Sequence, residues 1–212
     1  MLRKILLILV TLPFILNAQT DLRASMGINF VNMPDFRDYL NENYGFQGEN
    51  LADFSSMIEF SAEITEKISN KFYAGVEISY SFNSFTTVLY GGKYEMKYSF
   101  VQPTAVLYHV TKGKGYAFRI GGGIGPRFIS LSETKPYSIY ALTYTSTGYG
   151  LVFRGDASTQ LSQILYAYIG ADLRYEAGGT PKSDGVAIVH RNKNVEISAF
   201  SAGIKLGLFL QL

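Results

Sequence analysis

Apolar and polar residues alternate with a period of two along much of this chain, the pattern of a β-strand, whose successive side chains point to opposite faces of a sheet. From Ile164 to Glu176, Leu165, Ala167, Ile169, Ala171, Leu173 and Tyr175 share one face, and Tyr166, Tyr168, Gly170, Asp172, Arg174 and Glu176 share the other. The stretch Phe72 to Phe82 repeats this, setting Ala74, Val76, Ile78, Tyr80 and Phe82 against Tyr73, Gly75, Glu77, Ser79 and Ser81. Tyr116 to Phe128 does so again, with Phe118, Ile120, Gly122, Ile124 and Phe128 opposite Arg119, Gly121, Gly123, Gly125 and Arg127. Fainter versions at 21–32, 54–67, 93–111, 147–161 and 194–212 bring the expectation to eight strands. The segment 93–111 reads in two phases. Tyr94, Met96, Tyr98 and Phe100 mark one, Pro103, Ala105 and Leu107 the other, and a bulge near Gln102-Pro103 would reconcile them.

The connections alternate in length. Segments 33–53, 83–92, 131–146 and 177–193 read as long loops, while Lys67–Asn70, Lys112–Gly115 and Ser162-Gln163 read as tight turns. Every second connection is short, as in an up-and-down barrel that crosses a membrane, with brief turns on one rim and long loops on the other. Within the first long loop, Pro34 to Tyr44 predicts a short helix, with Asn32 or Met33 before a Pro in the first turn and Gly45 as the stop. Its Phe36, Tyr39 and Leu40 are expected on the barrel rim.

Charge decides which face is inside. The polar faces collect Glu59, Glu63, Glu77, Arg119, Arg127, Arg154, Asp156, Asp172, Arg174 and Lys205, while the opposite faces are almost wholly apolar and aromatic. A soluble eight-stranded barrel of the lipocalin type would turn those charges to water and hide the aromatics; a transmembrane barrel turns the apolar face to lipid and pairs the charges in its lumen. The second arrangement is the expectation, and these ten residues are read as a structural ion-pair network. Asp172 and Arg174 are expected to be held by the flanking strands through Arg154, Asp156 and Lys205. Tyr80, Phe82, Tyr94, Tyr116, Phe118, Phe128 and Tyr175 are expected to form outward aromatic girdles near the strand ends.

Composition narrows the picture further. Arg3 and Lys4, the apolar run Ile5 to Leu16 and the small Ala18 before Gln19 have the order of an export signal, giving residues 1–18 as a signal peptide and 19–212 as one barrel domain. Without Arg3 and Lys4 the basic and acidic residues are equal in number at 17, which makes nucleic acid an unsuitable partner. The chain has no Cys, so disulfide frameworks, thiolate metal sites and cysteine nucleophiles are excluded. Its 16 Tyr, 15 Phe and 21 Gly favour strands and barrel surfaces.

Three groups of residues invite a chemical reading. Gly121-Gly-Gly-Ile-Gly125 is rich enough in glycine for a phosphate-cradling loop, but it opens no helix and lacks the Lys-Ser/Thr of a P-loop; the glycines instead leave lumen space for large neighbours. The inward carboxylates and arginines could act as acid-base pairs only in a lumen that admits substrate, and an eight-stranded barrel is just wide enough to be filled by side chains. His190 stands near Ser183 and Asp184 in the last outer loop, while His109 falls at the opposite end of its strand. No catalytic, cofactor or metal residue is assigned, since two separated His residues without Cys offer no ligand spacing.

The motifs Ser79-Tyr-Ser-Phe82, Gln102-Pro-Thr-Ala-Val-Leu-Tyr108 and Gly121-Gly-Gly-Ile-Gly125, in that order over the mature length, resemble the small outer-membrane β-barrels of the OmpA/OmpX and OmpW types. The segment Ala202 to Leu212, apolar at Ala202, Ile204, Leu206, Leu208, Leu210 and Leu212, resembles the final strand of such barrels, which the barrel-assembly machinery reads. The resemblance implies a cell outer-membrane location in a Gram-negative bacterium, outer-membrane lipid as surroundings and no cofactor. The function expected is non-enzymatic, structural or surface-recognition through the outer loops. Passage of small or apolar solutes and modification of outer-membrane lipid are the alternatives.

Overall fold

In the computed structural model, residues 19–44, 55–89 and 92–212 are described. The proposed signal peptide and the helix stop at Gly45 lie outside them. Eight long strands form the wall: β1 (Thr20–Asn32), β2 (Ser56–Lys67), β3 (Phe72–Leu89), β4 (Gly92–Lys112), β5 (Tyr116–Thr134), β6 (Leu142–Gln160), β7 (Leu165–Ala177) and β8 (Ser198–Gln211). Each pairs antiparallel with the next, and β1 closes on β8 from Asp21 opposite Gln211 to Asn32 opposite Phe200. The one helix among the described residues, α1 (Pro34–Tyr44), follows β1 over the span its Pro and periodicity predict. Short turns join β2 to β3, β4 to β5 and β6 to β7, as expected.

Two of the expected long loops are mostly strand. β3 and β4 pair without interruption up to Leu89 opposite Gly92, and β5 and β6 pair as far as Glu133 opposite Leu142, so the described residues of 83–92 and most of 131–146 extend the hairpins. Ser, Thr and Asn gave these segments the look of loops, but Thr and Tyr are also good strand formers, and continuous pairing settles the matter. The expected bulge at Gln102-Pro103 is absent as well. Val101 faces Phe128 and Ala105 faces Ile124 in one register, and every second residue from Tyr94 to Val110 is buried. Pro103 fits because it points outward and only gives up a ladder hydrogen bond.

The wall has two zones. On β5 the outward residues are apolar from Phe118 to Phe128, and this length at about 3.3 Å per residue and a tilt of about 40° spans about 25 Å, the height of a lipid-facing band. Beyond it the same outward face carries Ser130, Ser132 and Thr134, with Thr143, Thr145 and Thr147 on β6 and Lys93, Glu95, Lys97 and Ser99 on β4. The inward face changes in the opposite sense. It is charged within the band, and above it becomes Phe85, Met96, Tyr98, Phe100, Ile129 and Leu131, all nearly inaccessible. Apolar-out gives way to polar-out where lipid gives way to water, and this inversion marks the outer edge of the membrane on the protein itself.

Candidate functional site: the filled lumen

All ten charged residues read from the pattern point inward and are buried. The structure brings them into layers, together with Asp21, Arg23 and Glu176, which the network as read from the sequence leaves out. Nearest the turns, Arg119 Nη2 donates to Glu63 Oε1 at 2.7 Å and Arg23 Nη2 to Asp156 Oδ1 at 3.0 Å. At mid-height Arg154 donates to both oxygens of Glu77, at 2.6 and 2.9 Å, and to Glu63 at 3.2 Å. Arg174 donates to Glu59 at 2.7 Å and to Asp172 at 2.9 Å, while Lys205 reaches Glu59 at 3.0 Å and Asp172 at 3.1 Å. Above these, Arg127 pairs with Glu176.

Most of these pairs cross the bore. Arg174 on β7 meets Glu59 on β2, Arg154 on β6 meets Glu77 on β3, and Arg119 on β5 meets Glu63 on β2. None of these strand pairs are neighbours in the wall. The expectation of partners from flanking strands holds for Asp172, which meets Arg154 at 3.3 Å and Lys205, but fails for Asp156 as a partner of Arg174. Asp156 instead pairs with Arg23, which arrives from β1 across the lumen. Strand order tells which charges are adjacent along the wall; the narrow diameter brings opposite walls equally close.

Neutral groups complete the filling. Gln102 accepts from Arg174 at 2.6 Å and from Ser79 at 2.9 Å, and Tyr108 donates to Glu63 at 2.6 Å. The Arg119 guanidinium lies 3.8 Å from the centre of the Tyr108 ring and that of Arg23 lies 3.9 Å from the Tyr168 ring, arrangements in which cations and ring faces attract. Glycine makes the room. A Cβ at Gly203 would stand 1.8 Å from Asn29 Oδ1, and one at Gly150 would stand 2.1 Å from Glu176 Oε2, so a side chain at either position would displace a member of the filled lumen.

The outer end of the bore is closed by apolar packing. Phe36, Tyr39 and Leu40 of α1 do not lie on the rim but are buried, in one cluster with Tyr94, Met96, Phe100, Ile129 and Leu131 from the walls and Ile188, Val195 and Ile197 from the last loop. Tyr94 is therefore inward, against its expected place in a girdle; Tyr80, Tyr116, Phe118, Phe128 and Tyr175 are outward and exposed. Tyr39 and Tyr94 both donate to Glu133 Oε1, at 3.1 and 3.0 Å, tying helix to wall. The alternation of β4 carries the signal for this, since Tyr94, Met96, Tyr98 and Phe100 continue the phase of Gln102 and Thr104.

His190 Nε2 lies 3.2 Å from Glu42 Oε2 of α1, its ring stands edge-on to Tyr39, and the neighbouring Arg191 donates to Glu42 at 2.9 Å, so the loop they belong to clasps the helix. Among the described residues neither Ser183 nor Asp184 hydrogen-bonds to it. His109 lies near the turns, edge-on to Phe72. No group of three or more metal-ligating side chains occurs among the described residues.

A closed antiparallel barrel with an exposed apolar belt and a charged interior is a transmembrane β-barrel. No protein-family model matches the chain, and no curated protein is significantly similar in sequence. Solved structures match in shape. A major outer-membrane protein of Thermus thermophilus superposes with a TM-score of 0.53 at 14% identity, covering 91% of this chain and 99% of that one. Neisserial surface protein A gives 0.52 at 11% identity over 91% and 97% of the two chains. Ail, the attachment invasion locus protein of Yersinia pestis, in complex with the heparin analogue sucrose octasulfate, gives 0.51 at 11% identity over 92% and 99%. The chain thus has the fold of the small eight-stranded barrels of bacterial outer membranes.

Proposed function

We propose that this protein is a non-enzymatic surface-recognition barrel whose bore does not conduct. The observation that carries the reading is the continuous filling of the lumen, by ion pairs that cross it through the lipid zone and by the apolar cluster around α1 above. A pore needs a wet path, and every layer here is occupied by side chains that meet across the bore. Recognition then falls to the outer extensions, which lift exposed Tyr137, Ile139 and Tyr140 on the tip between β5 and β6, and Val88 on the tip between β3 and β4, beyond the hydroxyl-rich band. Rigid strands presenting variable tips are a common way to build a binding surface. Residues 1–18 are taken as the export signal, and the barrel-assembly machinery and outer-membrane lipid as the partners of biogenesis.

Planar-bilayer recording of the refolded protein tests the reading. Wild type should show no steady openings, whereas replacing α1 residues Phe36 and Leu40 with Ser should loosen the upper closure and leave the charged layers to block the bore. Large steady openings of the wild type would replace the recognition reading with solute passage.

A further inference from the structure

At the outer edge of the apolar belt, a hollow of about 300 Å3 lies on the outside of the wall, across β3, β4 and β5. Strand register arranges its surroundings in rows. Tyr80, Val101 and Phe128 stand side by side in the lowest row, facing lipid. Phe82, Ser99 and Ser130 form the next, and Ser84, Lys97 and Ser132 the one above. Short serine side chains between the rings below and the lysine stem above are what make the surface concave.

The groups in this hollow call for a polar ligand. Ser99, Ser130 and Ser132 are only half-buried, and their hydroxyls make no hydrogen bond to described residues. Lys97 Nζ lies 2.7 Å from one oxygen of Glu95 and Lys93 Nζ lies 3.0 Å from the other, so the three together keep a single positive charge. Upward from the membrane the order is therefore apolar, hydroxyl-bearing, cationic. An amphiphile with hydrocarbon chains, a sugar and a phosphate presents the complementary order along the same axis.

We propose that this hollow binds one lipid of the outer leaflet through a phosphorylated sugar headgroup. The sugar hydroxyls exchange hydrogen bonds with Ser99, Ser130 and Ser132, the phosphate accepts from Lys97, and the acyl chains run down over Val101 and Phe128. A lipid, rather than a free sugar phosphate, is favoured because the apolar row below the hollow belongs to the lipid-facing belt and gives the chains their place.

Native mass spectrometry of the protein extracted from vesicles tests this. The vesicles contain phosphatidylethanolamine with equal small amounts of a phosphorylated diglucosamine lipid and of phosphatidylglycerol, and a parallel sample receives tail-free glucosamine 1-phosphate. Wild type should retain one sugar lipid, at least about fivefold above phosphatidylglycerol, and no tail-free sugar. Lys97→Ala should lower retention about tenfold, and so should Ser130→Leu, which fills the hollow; the heat-modified gel shift checks that both are folded. Lys71→Ala removes the same charge at the opposite rim and should change nothing. Equal retention of both anionic lipids, an effect of Lys71→Ala as large as that of Lys97→Ala, or full retention by Lys97→Ala and Ser130→Leu would each overturn the proposal. Retention of the tail-free sugar as strongly as the lipid would overturn it in favour of a soluble ligand.

Discussion

Arg174 shows how a single side chain can depend on the whole bore. It is almost fully buried, and its guanidinium is shared by Glu59 across the lumen, Asp172 two residues earlier on its own strand, and Gln102. Removing it leaves Glu59 and Asp172 to share Lys205, with Arg154 also on Asp172, so the confined layer loses one of its cations, and losing one partner of a buried network costs far more than an exposed pair is worth. Arg174→Ala should therefore destabilise the barrel by about 3 kcal/mol, read from urea unfolding in lipid vesicles, and Glu59→Gln in the same chain should recover part of the loss. An equal cost for the single and double variants would detach Glu59 from the network. Gly203 is constrained by space instead. Its added Cβ would meet the Asn29 amide, which donates to Glu59 at 2.8 Å, so Gly203→Ala should also destabilise, by displacing that contact.

At the scale of an element, each strand must satisfy two solvents. On β7, Ile169 is about half exposed on the belt while its neighbour Gly170 is buried in the lumen beside Asp156 and Lys205. Ile169→Arg near mid-membrane should cost roughly 2 to 4 kcal/mol of folding into vesicles, whereas the same change at the water-exposed Thr145 should be nearly neutral. Similar costs at both positions would refute the two-zone wall. The helix obeys the water-side rule, burying Phe36 and Leu40 under the tips of the strands. Phe36→Ala should then remove about 3 to 5 kcal/mol of packing from the upper chamber. Protease sensitivity of the helix-bearing loop should rise in this variant while the lipid-embedded β-structure, followed by circular dichroism, stays intact.

For the molecule as a whole, orientation follows from the inversion of its two faces. The extended hairpins and α1 share the end where the outward residues become polar, and the tight turns share the other. Because the natural chain has no Cys, single cysteines report orientation cleanly. Ser138→Cys and Ser183→Cys should react with a membrane-impermeant maleimide on intact cells, and Lys114→Cys only after the outer membrane is permeabilised. The reverse pattern would invert the topology. The cross-lumen pairs also make the barrel a single cooperative unit, since Arg119, Arg154 and Arg174 each tie strands that do not touch along the wall.

Pro34 marked the helix Pro34–Tyr44, and polar breaks marked the three short turns. Period-two alternation determined the strand count and, together with the placement of charge, the inward direction of all ten charges from Glu59 to Lys205, because strand faces are a local property of the backbone. It did not separate loop from raised strand at 83–92 and 131–146. There the outward face turns polar while pairing continues, and polarity read along the chain cannot distinguish a strand in water from a loop. The pairing of the charges was beyond it too. Arg23 reaches Asp156, and Arg174 reaches Glu59 rather than Asp156, through space that exists only once the barrel has closed. Likewise Phe36, Tyr94 and Ile197 lie far apart in sequence and become one apolar plug only when closure brings helix, walls and last loop together. Which way a residue points is set by its neighbours in the chain; what it meets there is set by the diameter of the barrel.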